Sequence, residues 1–207
     1  MSRSSGSPVD VRGLAVEVAE RMGVLGRLRA AATTATGMAF VDDAGRRVGG
    51  VNTRAMQRAG GSREVEVTRT DLAAILYEAG RDSVEYLFGD TMTALRQDGT
   101  GVEVTFDKAA PRRFDLVIGA DGLHSMTRRL AFGPESAFVR HMGLYVATMP
   151  LDGPAERQSE LVIHNSPGRM VAIHPVRGRA LAAFIFRAPA VDGLHHRRRR
   201  LIPARGS

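Results

Sequence analysis

The sequence contains no cysteine and no tryptophan, and of its 29 basic residues only Lys108 is a lysine. Without cysteine there is no disulfide framework, no thiolate metal site and no thiol nucleophile, which suits a reducing cytoplasm. Long apolar runs are also missing. The longest near the C-terminus, Ala180 to Phe186, falls far short of the roughly 20 residues that span a bilayer. Met1 to Pro8 is small and polar and lacks the apolar core of a signal peptide. A cytoplasmic protein without a membrane partner is therefore expected. Aromatic residues make up 5% of the chain, so platforms for stacking bases are scarce. The net charge of +7 is arginine usage, and four of the arginines, Arg197 to Arg200, stand together; without them the balance is +3. These features argue against nucleic acid as a partner, despite the positive sign.

What is present is ordinary globular material: 207 residues, 43% hydrophobic and 25% charged, enough for one large domain or two small ones. Residues 1–8 read as a disordered leader. Val9-Asp10-Val11 is a short extended piece. From Leu14 the apolar residues Leu14, Val18, Met22, Leu25 and Leu28 recur at steps of three and four, which predicts one helical face interrupted near Gly23 or Gly26. Met38–Val41 and Arg46–Val51 flank Asp-Asp-Ala-Gly, a hairpin signal, and residues 52–63 read as a loop. Val65 and Val67 alternate with charge as in a strand. Thr70 is a candidate cap for a helix whose Leu72, Ile75, Leu76 and Ala79 share one face. Val84 to Phe88 reads as extended, and Thr91–Arg96 with Val102–Phe106 as a second hairpin.

Phe114 to Ile118 is apolar on both faces, which predicts a strand buried in a parallel sheet. It runs into Gly119-Ala120-Asp121-Gly122, and Ser125 to Leu130 opens a helix with Ser125 as its cap. A strand, a tight glycine turn and a helix follow the local logic of a dinucleotide-binding unit. Glycine permits close backbone approach. An acid at the carboxyl edge of such a strand can accept hydrogen bonds from ribose or hold a basic partner. An ordinary strand-to-helix turn with no ligand accounts for the same residues. After Gly133-Pro134 the character changes: Phe138–Leu151, Glu160–His164, Arg169–Pro175 and Arg179–Arg187 read as strands joined by turns, an antiparallel sheet. From Ala188 the pattern dissolves into a basic tail.

The stretch Asp115 to Arg129 resembles the Asp-Gly motif of the class A FAD-dependent monooxygenases: an apolar strand, Gly-Ala-Asp-Gly, then Ser and Arg. Arg69-Thr70-Asp71-Leu72 is similar to that family's Arg-x-x-Leu helix opening. Val9 to Gly13 resembles the segment after its first nucleotide-binding unit. The resemblance covers about Val9 to Arg187. It implies a mixed α/β (α+β) fold: a partial FAD-binding, Rossmann-like domain over 9–134 and an antiparallel substrate-covering sheet over 135–187, with a disordered tail over 188–207. It implies cofactor-binding roles for Asp121 and Gly122 by the FAD diphosphate, for Arg69 on FAD, for Asp10 on the flavin side, and for the Met92 backbone by adenine. The implied cofactors are FAD, with NADPH or NADH as electron donor. The implied activity is hydroxylation of a small organic substrate, aromatic or polyketide-like. No side chain is singled out as a catalytic acid or base, because the flavin carries that chemistry. The sequence leaves oligomeric state open.

Two of the family's elements have no counterpart among the 207 residues. There is no Gly-x-Gly-x-x-Gly, whose backbone would cradle the diphosphate, and no late Gly-Asp motif after the sheet. The resemblance thus implies an inactive fragment lacking both ends. A non-catalytic binding module that docks an acidic partner or nucleic acid through the arginine tail is the alternative, and steep salt dependence would mark it. No metal site is expected: His195 and His196 are adjacent, so they point differently, and no carboxylate is spaced beside them. His124 and Ser125, also adjacent, do not make a triad. His141, His164 and His174 read as core or sheet-face residues.

Overall fold

The computed structural model describes residues 8–33, 35–53, 55, 63–151, 159–176 and 179–191. Most of the expected 52–63 loop, the leader up to residue 7, and the tail with His195, His196 and the four arginines lie outside the described residues. The chain forms two compact units, Met1–Asp82 with Gly143–Ser207, and Ser83–Met142.

The first unit holds two sheets. In the smaller, β1 (Pro8–Val11) pairs antiparallel with β4 (Val65–Thr68), with Val9 opposite Val67 and Asp10 opposite Glu66. Pro8, assigned to the leader by sequence, is thus the first residue of a strand. Strand alternation turns Val65 and Val67 to one face and Glu66 to the other. The valines join Val11, Val16, Ala19, Val24, Leu25, Leu28 and Ile75 in the main buried cluster. That cluster is closed by α1 (Leu14–Arg21), α2 (Leu25–Ala30) and α3 (Arg69–Gly80). Gly23, at φ 71°, makes the expected break between α1 and α2, in a conformation that favours glycine.

Two expectations fail here. On α1 the buried residues are Val16 and Ala19, while Leu14 is 76% exposed and Val18 and Met22 about half exposed. The helix carries two apolar stripes about half a turn apart, and the stripe that packs on β1 and α2 is the one with the smaller side chains. The cap of α3 is Thr68, not Thr70: its hydroxyl accepts from the Asp71 backbone N–H at 3.0 Å. The helix follows β4 with no intervening loop, so the last strand residue does the capping.

The larger sheet has the order β3-β2-β9-β10-β11-β8, with β2 (Gly37–Val41), β3 (Arg47–Val51), β8 (Leu144–Leu151), β9 (Glu160–Ser166), β10 (Arg169–Val176) and β11 (Arg179–Arg187). All pairs are antiparallel except β2 with β9. The hairpin of β2 and β3, grouped by sequence with the 9–134 part, is therefore hydrogen-bonded into the sheet of 144–187. Residues 138–143, expected as the start of a strand, precede β8 without joining it, and His141 lies among them. Ala188 and Val191 still donate backbone hydrogen bonds, to the Gly143 carbonyl and the Tyr145 hydroxyl, so order continues a few residues past Arg187.

The second unit is a meander of β5 (Met92–Asp98), β6 (Gly101–Phe106) and β7 (Arg112–Phe114), with α4 (Met126–Phe132) and a 3-10 turn at Glu135–Ala137. Val84–Phe88, expected as extended, joins no ladder. The predicted strand Phe114–Ile118 is not formed either. The ladder ends at Phe114, and Leu116 and Ile118 are 71% and 79% exposed. Their apolar character reads as burial in a parallel sheet, but no described strand flanks them, and an extended segment without a ladder partner is not a strand. Among the described residues no helix is long and apolar enough to cross a membrane.

Candidate functional site

The Asp121 segment lies in the second unit, and its geometry is directed inward. The Asp121 carboxylate accepts from the Ser125 hydroxyl, and from the Thr127 backbone N–H at 2.9 Å and hydroxyl at 3.1 Å. Ser125 in turn accepts from the Arg128 N–H at 2.9 Å. Two side chains therefore satisfy N–H groups that the first turn of α4 leaves without helical partners. The Ser125 hydroxyl bond, followed by the Thr127 N–H, holds the Asp121 carboxyl down to about 2. Gly119 is needed because a Cβ there would meet the Thr127 side chain at 2.8 Å, and Gly122 because its φ is 83°.

Behind the turn, Glu135 gathers the basic side chains. His124 Nδ1 is 3.0 Å from it, and Arg128 and Arg129 are 4.0 and 3.8 Å away. The His124 contact is the main reason its carboxyl is held below the usual range. Arg128 also donates to the Leu123 carbonyl at 2.6 Å and lies 5.7 Å from the Phe138 ring centroid. Ile118 to His124 are all exposed, and at Gly119 and Gly122 the exposed surface is bare backbone. An apolar recess of about 740 Å³, bordered by Leu95, Val102, Ile118, Phe132 and Phe138, lies beside the turn.

Replacing Asp121 with alanine removes the carboxylate acceptors at the start of α4. A loss of about 1 kcal/mol is expected, typical for a helix cap, measurable as a lower urea midpoint. Because the folded carboxyl titrates near 2 and the unfolded one near 3.8, its contribution is present above 3.8 and disappears as pH falls through about 2. Asp121→Ala should therefore remove part of the wild-type loss of stability across that acid range.

Met92 also belongs to the second unit. It opens β5, half-buried, opposite Phe106 and beside a register shift. Asp10 and Arg69 belong to the first. Arg69 is the first residue of α3 and is exposed. Asp10 borders a cleft of about 300 Å³ with Arg29, Thr33, Arg63 and Glu66. The structure thus brings Asp121 and Gly122 into one turn, and places Asp10 on β1 and Arg69 at the start of α3, directly after β4. Sequence reading missed Thr33 and Glu66, which border that cleft, and read His174 as a core or sheet-face residue: the Thr33 hydroxyl donates to Glu66, and His174 Nε2 is 3.4 Å from it. The available signal was Glu66, an acid between two valines of a short strand. Among the described residues no group of three or more His, Asp or Glu side chains is placed to hold a metal ion.

Residues 10–205 match the family model described as the FAD binding domain. The chain is 41% identical over 189 residues to an uncharacterised protein of Mycobacterium tuberculosis, covering 88% of this chain and 50% of that protein. It is 30% identical over 192 residues to a flavin-dependent monooxygenase from an unknown prokaryotic organism, covering 90% and 49%. Among solved structures, tetracycline destructase Tet(55) superimposes with a TM-score of 0.74 at 29% identity, covering 91% of this chain and 48% of that one. The chain spans about half the length of these relatives. The mixed α/β fold expected from the sequence agrees with this likeness.

Proposed function

The chain belongs to the FAD binding domain family, and from that premise we propose that it forms part of the FAD site of a flavin-dependent monooxygenase acting on a small organic molecule, aromatic or polyketide-like. The observation that supports it is the match over residues 10–205, which takes in Asp10, Arg69, Met92 and the Asp121 turn together.

The groups present suit such a cofactor. Arg69 stands exposed at the first position of a 12-residue helix. There the helix dipole and free N–H groups favour an anion, so a diphosphate is the natural ligand for its guanidinium. The Gly119–Gly122 turn presents exposed backbone, which a dinucleotide can approach without meeting a side chain at Gly122, where added Cβ would face open space. The role of Asp121 is to hold that turn in shape: its oxygens are engaged by Ser125 and Thr127, so it positions the backbone. Bound FAD would supply the redox chemistry, in which two electrons from NADPH or NADH would reduce one oxygen atom of O₂ to water while the other enters the substrate. The six-stranded sheet is the proposed wall of the substrate side.

The test is a titration with FAD followed by gel filtration. We expect a saturable change in flavin fluorescence, and we expect the flavin to separate from the protein on the column. No Gly-x-Gly-x-x-Gly occurs in the 207 residues, and each charge-assisted hydrogen bond forgone weakens binding by about 1.5–3 kcal/mol. A stoichiometric flavin band eluting with the protein would overturn the expectation of weak binding. A flat fluorescence response would overturn the FAD reading itself.

A further inference from the structure

Polar groups from separate elements of the first unit meet on the face of the β1–β4 sheet opposite its hydrophobic core. Asp10 on β1 and Glu66 on β4 are direct cross-strand partners, so their side chains leave the sheet on the same face, and like charges so placed repel. His174 of β10, in the other sheet, reaches this pair. Its Nε2 is 3.4 Å from Glu66 Oε2, and its Nδ1 is 3.3 Å from the Pro175 carbonyl oxygen. The second Glu66 oxygen accepts from the Thr33 hydroxyl. The His174 side chain is 15% exposed.

Both ring nitrogens therefore face oxygen acceptors. A neutral imidazole carries one N–H and must turn a lone pair toward the other oxygen, whereas the imidazolium donates from both nitrogens. With Glu66 ionised, only the imidazolium gives both oxygens a donor. Among the described residues, the charged groups that act on the ring are Glu66 from β4 and Asp10 from β1. From its own sheet the ladder partner on β11 is the apolar Leu181, and β9 contributes Val162 opposite the neighbouring Ile173.

We propose that His174 is a proton-operated tie between the two sheets of the first unit: its imidazolium, held by Glu66 and the Pro175 carbonyl, fastens β10 to β4, and loss of the proton releases them. The cleft bordered by Asp10, Arg29, Thr33, Arg63 and Glu66 adjoins the tie, so its release also removes one positive charge from beside the Asp10–Glu66 pair. The inference rests on these side chains and not on the FAD reading.

Burial alone would disfavour the charge on His174, but Glu66, then the Pro175 carbonyl and, more weakly, Asp10 outweigh it, and the group is raised above the usual 6.5. Burial likewise opposes the charge on Glu66, yet His174 and Thr33 hold its carboxyl below the usual range. Since the folded histidine keeps its proton more tightly than the unfolded one, the tie contributes fully below 6.5 and is lost as pH rises through the higher folded value.

The experiment is an NMR titration of the full chain, with the His174 ring signal assigned by its disappearance in His174→Gln. The expected midpoint lies above 6.5, and Glu66→Gln should move it down. In parallel, the urea midpoint of the wild type should fall as pH is raised from about 6 to about 9, across the range where histidines titrate, and that fall should be smaller in Glu66→Gln. A His174 midpoint at or below 6.5, or one that Glu66→Gln leaves in place, overturns the proposal. If His174→Gln does not fold, assignment proceeds by elimination with His124→Gln, His141→Gln, His164→Gln, His195→Gln and His196→Gln, which cover the other five histidines, and the Glu66→Gln comparison decides the question.

Discussion

Leu28→Ala is expected to lower the stability of the first unit by about 2–5 kcal/mol, the usual cost of truncating a buried leucine, whereas Leu14→Ala should change it by less than about 0.5 kcal/mol. Leu28 is 1% exposed and packs in a cluster with Val11, Val16, Leu25, Val65, Val67 and Ile75. That cluster is small, and few neighbours can relax to fill the space a leucine leaves. Total stabilities of folded domains run about 5–15 kcal/mol, so such a loss takes a large share and can leave the unit partly unfolded at room temperature. Leu14 lies on the same run of apolar residues but is 76% exposed. Urea midpoints of the two variants measure the contrast. Equal losses would mean that the Leu14–Val18–Met22 stripe is buried in solution and that the packing of α1 described above is wrong.

That pair of leucines also marks where the sequence stops being informative. Periodicity predicted a helix near residue 14, a break near Gly23 or Gly26 and a continuing helical face through Leu28; the break falls at Gly23, and Gly26 lies within α2. It could not choose between the two apolar stripes of α1, because the choice depends on where β1 and α2 lie, which is a long-range fact. The hairpins were legible from their turn residues: Asp42 holds the 42–46 turn by accepting from the Ala44 and Arg46 N–H groups, and Asp98 does so for Thr100. The parallel pairing of β2 with β9 was not legible, since the two strands are separated by more than 100 residues and neither carries a local mark of its partner. Phe114–Ile118 shows the reverse failure. An apolar run states that a segment is suited to burial, not that a covering strand is present. At the candidate site, Asp121 was found by motif but its immediate role was not. The three bonds it accepts depend on Ser125 and Thr127 standing at the right heights of the first helical turn. His174 could only be read as a sheet residue, because its partner Glu66 comes from a different sheet.

Arg69→Ala is expected to weaken FAD binding by about tenfold or more while leaving the fold intact. The substitution removes an exposed side chain at the first position of α3, and surface changes of this kind alter stability by about 0.5 kcal/mol or less; the Thr68 cap of the helix is untouched. For a phosphate ligand the loss is larger. A hydrogen bond between a guanidinium and a phosphate contributes about 1.5–3 kcal/mol, and 1.4 kcal/mol corresponds to about tenfold in affinity. An exposed position favours the lower end of that range, because water and salt screen the charge. Arg69→Lys should fall between the two: it keeps the positive charge near the helix N-terminus and loses the planar fork that can grip two phosphate oxygens. Riboflavin, which has the flavin ring without phosphate, separates a diphosphate contact from a general disturbance. Its affinity should be the same for wild type and Arg69→Ala. Fluorescence titrations with both flavins at low salt are the measurement. Unchanged FAD affinity in Arg69→Ala would remove Arg69 from the proposed site, and an equal fall for FAD and riboflavin would show that the arginine shapes the protein and does not touch the diphosphate.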